Sequence, residues 1–190
     1  MSLRSLVSCG LLAAGALLVD PVLATEYNQI DVGASRIAFT YSEMGVNLDG
    51  GFARFSARLV FDPAKPEAAR VAVDVQMASV DAGSPEATAE AAGAAWFDAA
   101  HFPVSHFEST SLKALGPGRY QLDGNLAIKG RTRPISVPLS FQAQGARGLL
   151  SGTFQINRND FGVGAGEWAD PSIVAPAVTV RVSFVLTAAR

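Results

Sequence analysis

Alternation of apolar and polar residues is the feature that most constrains the fold of this chain. In each of several runs, every second residue is Val, Ile, Leu, Phe, Tyr or another apolar residue, and the residues between are mostly polar or charged. The runs occupy residues 37–42, 55–61, 71–77, 120–129, 135–142, 150–156 and 178–187. Because successive side chains of a β-strand point to opposite faces, this period of two predicts half-buried antiparallel strands.

Turn-forming residues separate the predicted strands. They are Asp49-Gly50-Gly51, Asp62-Pro63, Gly116-Pro117-Gly118, Lys129-Gly130 and Gly145. Strands with one apolar face must bury those faces against each other, as in a closed barrel or a sandwich. The outward faces are polar, which argues against an outer-membrane barrel. The sequence therefore predicts an all-β, antiparallel fold, and a barrel of about eight strands suits the strand lengths.

One segment departs from the strand pattern. Ser84-Pro85-Glu86 combines an N-cap residue, a proline at the first helical position and an acid in the first turn. Apolar residues then recur at helical spacing as far as Ala100, with Trp96 and Phe97 on one face. This predicts a single helix over residues 85–100, followed by a strand that starts at Val104.

Residues 1–24 have the layout of a secretory signal peptide. Arg4 precedes an apolar stretch over residues 6–19, and Val22-Leu23-Ala24 ends in a small residue suited to cleavage. Cys9, the single cysteine of the chain, lies inside this segment, so the mature protein has no disulfide. We therefore predict a signal peptide over residues 1–24, one domain over residues 25–190, and a periplasmic location.

The residue types that carry out catalysis are not arranged for it. His101 and His106 are separated by Pro103 and lack the spacing of a metal-binding pair. The chain has no Gly-x-Ser-x-Gly elbow, phosphate loop or dinucleotide fingerprint. With a net charge of −2 and 17% charged residues, it has no basic face for nucleic acid. We expect no catalytic residue, no metal ligand and no required cofactor.

Large apolar side chains are numerous for a single domain, and the alternation places most of them on inward faces. A barrel of about eight strands is just wide enough either to be filled by its own side chains or to enclose one slender ligand. The residue pattern alone leaves both arrangements open.

Three blocks of sequence, taken in order, resemble a known family. The first is Trp96-Phe97-Asp98 with Phe102-Pro103 and Phe107-Glu108-Ser109. The second is Gly124-Asn125-Leu126-Ala127-Ile128-Lys129-Gly130 with Thr132-Arg133-Pro134 and Val137-Pro138. The third is Asn157-Arg158-Asn159-Asp160-Phe161-Gly162-Val163-Gly164, followed by Trp168 and a closing strand. Together they resemble the YceI-like family of bacterial periplasmic proteins, from about Tyr27 to the C-terminus.

The resemblance implies a lipocalin-like antiparallel β-barrel with one short helix closing an end. It also implies that the barrel holds a polyisoprenoid, an isoprenoid quinone or another long amphiphile through its apolar lining. We expect that lining to be Phe39, Tyr41, Phe55, Leu59, Phe61, Val73, Val75, Trp96, Phe97, Phe102, Phe107, Leu126, Ile128, Phe154, Phe161 and Trp168.

Several functions are compatible with these features. The first is a periplasmic protein that binds a long apolar lipid. The second is an accessory protein of a membrane electron-transfer system, because some relatives occur beside cytochrome b561-like membrane proteins. The third is a stress-related structural module whose barrel is filled by its own side chains. The expected partners are a long-chain lipid, a cytochrome b561-like protein and a second copy of the chain, and an enzyme is disfavoured.

Overall fold

The computed structural model describes residues 26–188, so the predicted signal peptide lies outside the described residues. The strands are β1 (Tyr27–Glu43), β2 (Val46–Phe52), β3 (Phe55–Val60), β4 (Arg70–Gln76), β5 (Val80–Asp81), β6 (Val104–Gly116), β7 (Arg119–Ile128), β8 (Arg131–Gln144), β9 (Arg147–Asn157) and β10 (Ala177–Ala188). Within the described residues there is one α-helix, α1, which covers Pro85–Ala92. Short 3₁₀ turns lie at Pro66–Ala68, Met77–Ser79, Arg158–Phe161 and Gly166–Ala169.

All the strands belong to one antiparallel sheet in the order β3-β4-β6-β7-β8-β9-β10-β1-β2-β5. The sheet curls until β1 meets the end of β3. There Tyr27 and Phe61 form an antiparallel bridge, with each backbone N–H donating to the other residue's carbonyl at 2.8 and 2.9 Å. The predicted all-β, antiparallel barrel class is confirmed.

The sheet has ten strands where the sequence predicts about eight, and the additional strands are β2 and β5. We expected a turn at Asp49-Gly50-Gly51, but these residues lie inside β2 and pair with residues 38–40 of β1. The turn is instead at Met44-Gly45, where both residues have positive φ, 49° and 80°. This is the backbone that a tight two-residue hairpin requires.

The helix is shorter than the sequence predicts. Ser84 accepts a hydrogen bond from the Ala87 N–H and caps its start, as expected. The chain leaves the helical conformation at Gly93, where ψ is 172°, because glycine is a poor helix former. Trp96 and Phe97 therefore lie in turns beyond the helix, where the Phe97 N–H donates to the Ala91 carbonyl at 3.0 Å.

Aromatic side chains fill one end of the barrel. Phe61 lies at its centre, with its ring centroid 5.0 Å from that of Phe141 and 5.4 Å from that of Tyr120, both edge-on. Tyr27 packs on Phe141 with a centroid separation of 5.1 Å. All of these residues are buried. We call Tyr27, Phe61, Tyr120 and Phe141 the aromatic floor, because it closes this end of the barrel.

The opposite end of the barrel carries the longer connections. These include the segment from α1 to β6 and the segment between β9 and β10, both of which contribute residues to the barrel interior. Within residues 26–188, no helix is both long and apolar enough to cross a membrane.

Candidate functional site

A cavity of about 650 Å³ occupies the barrel between the aromatic floor and the open end. The inward faces of the long strands form its wall, and α1 with the segment after it forms one side of its mouth. Of the residues predicted to line a barrel interior, those that line this cavity are Phe39, Tyr41, Val73, Val75, Trp96, Phe97, Phe107, Leu126, Ile128, Phe154, Phe161 and Trp168.

The other predicted lining residues lie elsewhere, which corrects the expectation for them. Phe61 is part of the aromatic floor, and Leu59 belongs to the packed core at the same end. Phe55 packs on Phe184, with ring centroids 5.8 Å apart. Phe102 lies against the tight turn after β7, where only a glycine at position 130 leaves room for its ring.

Burial changes along the barrel from the floor to the mouth. The deepest lining residues, such as Leu122, Leu139 and Leu150, are buried. Nearer the mouth, Phe39 and Phe154 face the cavity but remain partly accessible. Side chains in a filled barrel would cover each other at the density of a protein interior. The upper part of this barrel is therefore an open apolar space.

Arg158 is a residue of the site that the sequence analysis did not single out. Its side chain lines the cavity and is only 2% exposed. All five of its N–H donors are used by backbone carbonyls. Nε donates to Ala175, Nη1 to Val163 and Gly164, and Nη2 to Trp168 and Val174. Burial lowers the pKa of the guanidinium from its usual value.

These bonds give Arg158 a positioning role. The carbonyls that it binds belong to the segment between β9 and β10, so one side chain organises that side of the mouth. The guanidinium carbon also lies 5.5 Å from the ring centroid of Trp96, which packs on Trp168 with centroids 5.6 Å apart. An isolated arginine outside a strand run carries no periodic signal, so only the family block containing it could have identified it.

Lys129 ties the two sides of the mouth together. Its Nζ donates to the Ala94 carbonyl at 2.7 Å and to the Gly162 carbonyl at 3.2 Å. Partial burial lowers the pKa of this amine, and nearby Asp98 opposes that shift. The backbone N–H groups of Gly164 and Ala165 reinforce the link by donating to the Ala95 carbonyl.

Acidic groups also contribute to the cavity lining. Glu43 lies at the end of β1, and Glu86 and Glu90 lie on α1, four residues apart. The Tyr41 hydroxyl donates to the Ala82 carbonyl at 3.1 Å. Burial raises the pKa of this phenol, and the charge of Glu43 raises it further.

The two histidines do not line the cavity. The side chain of His101 is 77% exposed and contacts Asp98, with Nδ1 and Oδ1 2.8 Å apart. His106 pairs with Asp74, with Nδ1 and Oδ1 2.6 Å apart. Among residues 26–188, no three His, Cys, Asp or Glu side chains form a group that could hold a metal ion.

Comparison with known proteins finds a matching family, related sequences and similar solved structures. Residues 28–186 match the model of the YceI-like domain. A UPF0312 protein of Azotobacter vinelandii is 32% identical over 161 residues, which cover 80% of this chain and 81% of that protein. The crystal structure of Burkholderia cenocepacia BcnA superposes with a TM-score of 0.82 at 34% identity, covering 84% of this chain and 100% of that chain.

A more distant solved structure has the same fold. It is a polyisoprenoid binding domain from Saccharophagus degradans, which superposes with a TM-score of 0.66 at 16% identity. The match covers 86% of this chain and 98% of that domain.

Proposed function

Because the chain belongs to the YceI-like domain family, we propose that it binds a long apolar lipid of the polyisoprenoid or isoprenoid-quinone type inside the barrel. The observation that carries this proposal is the open apolar cavity of about 650 Å³ above a closed aromatic floor. The Saccharophagus degradans domain of the same fold, which is a polyisoprenoid binding domain, supports this class of ligand.

The physics of such a cavity favours binding without catalysis. Moving a methylene group from water into an apolar site is worth about 0.8 kcal/mol before ordering costs. A chain that fills the cavity therefore needs no polar anchor. The partly accessible side chains near the mouth, such as Phe39 and Phe154, favour a ligand-binding barrel over a structural module filled by its own side chains.

We further propose that the protein works in the periplasm after removal of residues 1–24. A water-insoluble chain that has to cross an aqueous compartment needs a soluble container, and the polar outer face of this barrel suits that role. The link to a cytochrome b561-like membrane protein and the homodimer stay predictions that interaction and mass measurements can test.

Native mass spectrometry of protein purified from the periplasm tests the proposal. The expected result is a mature chain that begins at Thr25 and carries one apolar ligand, which solvent extraction then releases for identification. A protein that carries no lipid after gentle purification, and that takes up no prenol afterwards, would contradict the proposal. A mature form that keeps Met1 would contradict only the export step.

Two variants sharpen the experiment. Leu126→Asp places a charge in the cavity wall, where desolvation is costly, and should abolish lipid retention. Replacement of His101 and His106 by Gln changes groups that do not line the cavity, so lipid occupancy should stay near that of the unmodified protein.

A further inference from the structure

The cavity ends at the aromatic floor, and the strands β7, β8 and β10 define where it stops. On β7, Leu122 lines the cavity and Tyr120, two residues nearer the closed end, does not. On β8, Leu139 lines it and Phe141 does not. Residues two apart share a face of a strand. On each of these strands, therefore, one inward-facing residue lines the cavity and the next inward-facing residue belongs to the floor.

The strand β10 repeats this arrangement. Phe184 lines the cavity, and Leu186, the next inward residue, is 0% exposed and does not. The Phe141 ring lies so close to Gly148 that a Cβ there would come 2.4 Å from the ring. The bridge between Tyr27 and Phe61 closes the sheet at this level, and no residue of the aromatic floor lines the cavity.

The volume of the cavity determines how many carbon atoms of a lipid chain fit above that floor. A cavity of about 150 Å³ holds one benzene ring, or about 25 Å³ per carbon, and a water molecule occupies about 30 Å³ in the liquid. At those densities, a space of about 650 Å³ holds about twenty to twenty-five carbon atoms. This corresponds to about four or five isoprene units.

The polarity of the lining determines which end of a bound lipid points to the floor. The floor and the wall beside it are apolar, whereas Glu43, Glu86 and Glu90 contribute charged groups on the side formed by α1 and the end of β1. The polar end of an amphiphile keeps its hydration only at the open end. Its apolar end therefore points down to the aromatic floor.

This inference rests on the proposed function. We infer that the depth of the barrel limits how many isoprene units of its ligand can enter. The barrel takes up the last four or five isoprene units of a chain, stops them at the aromatic floor, and leaves the rest of a longer chain outside the mouth. The ligand class is thus a prenyl chain of about twenty carbons or more, and chain length beyond that limit adds no contact with the barrel wall.

A series of all-trans prenols tests the inference in lipid-free protein, by displacement of a pyrene-labelled fatty alcohol. Affinity should rise by about tenfold or more at each step from geraniol to farnesol to geranylgeraniol. Geranylfarnesol and solanesol should bind within about threefold of each other, because the additional units of solanesol stay in water.

Variants in the deepest part of the cavity wall and in the floor should move the limit. Leu122→Phe combined with Leu139→Phe adds bulk to the deepest open space, so the affinity should level off about one isoprene unit earlier. Phe61→Leu combined with Phe141→Leu deepens the cavity, so the limit should move to longer prenols. If the second pair fails to fold, the first pair still decides. Leu115→Phe, at an exposed position outside the cavity, is the matched control and should leave the limit unchanged.

The outcomes separate the inference from the function on which it rests. A tenfold gain from geranylfarnesol to solanesol would overturn the length limit while supporting lipid binding. An unchanged limit in the Leu122→Phe and Leu139→Phe protein would overturn the inference that the depth of the cavity sets the limit. Failure of every prenol to displace the probe would overturn the proposed function itself.

Discussion

The ring of Phe39 lies against the backbone of Gly50 on the paired strand, so close that a Cβ at position 50 would come 2.4 Å from the Phe39 Cζ atom. The same Cβ would come 2.6 Å from the Asp81 carbonyl oxygen on β5. Glycine at this position thus lets an aromatic ring of the cavity wall and a neighbouring strand both approach the backbone of β2.

Gly50→Ala should therefore push Phe39 into the cavity and separate β5 from β2. We expect a loss of about 1–3 kcal/mol in the free energy of unfolding, as is typical of overpacking, together with reduced lipid occupancy. Denaturant unfolding and native mass spectrometry measure the two effects. In a double-mutant cycle with Phe39→Ala, the losses should be less than additive, and strict additivity would contradict the contact. Gly33→Ala is the control, because its Cβ would have only the Asp31 Oδ1 atom nearby, at 3.6 Å.

Arg158→Met should destabilise the mouth of the barrel more than the aromatic floor. The substitution removes every donor to five carbonyls, and buried carbonyls without partners cost about 1–3 kcal/mol each unless the loop opens to water. We expect a loss of at least about 3 kcal/mol in stability. Hydrogen exchange should show lost protection over residues 162–176, with strong protection kept at Tyr120 and Phe141. Equal exchange rates in the variant and the unmodified protein would show that Arg158 does not organise the mouth.

Arg158→Lys separates charge from geometry. Lysine keeps the positive charge but offers three donors on one atom in place of a planar fork. We expect it to resemble Arg158→Met in hydrogen exchange, because five carbonyls around one guanidinium require the shape of arginine.

The alternation of residues allowed much of the fold to be predicted, because it depends on local stereochemistry. It identified the inward faces that carry Val73, Val75, Leu126 and Ile128, which line the cavity. It could not predict the level along the barrel axis at which each inward-facing side chain lies. Phe61 and Phe39 both belong to runs with a period of two, yet one lies in the floor and the other in the cavity wall. Their heights depend on strand stagger, which is a property of the closed sheet.

The parts that sequence analysis missed have non-local causes. Met44-Gly45 lacks the Asn-Gly or Asp-Gly signal of a tight hairpin, while Asp49-Gly50-Gly51 carries a turn signal inside a strand. The glycine there is explained by the ring of Phe39 on the partner strand. The role of Arg158 comes from its hydrogen bonds to carbonyls that lie five to seventeen residues further along the chain.

Asp123 should make the stability of the protein depend on pH in acid. Its pKa is lowered from 3.8 to about 2, mainly because the Ser136 hydroxyl donates to the carboxylate at 2.6 Å, followed by the Gln121 amide at 3.0 Å. Since the folded pKa lies below the unfolded one, the stabilisation is present above pH 3.8 and is lost as the pH falls towards 2. Melting temperatures of Asp123→Asn should fall less over this interval than those of the unmodified protein, and parallel curves would contradict the assignment.

Carboxylates in the cavity lining should discriminate against anionic lipids. Glu43, Glu86 and Glu90 line the cavity, and the guanidinium of Arg158, which also lines it, has its donors occupied by carbonyls. A unit charge about 8 Å from a ligand carboxylate contributes about 0.5 kcal/mol of repulsion in water. Replacement of all three glutamates by Gln should therefore raise the affinity for palmitate by about three- to tenfold at low salt. The affinity for hexadecanol, which has the same chain and no charge, should stay unchanged. Added salt should shrink the difference between the proteins because it screens exposed charges. An equal gain for the alcohol would mean that the glutamates act through the shape or polarity of the lining, and their charge would then have no part in ligand choice.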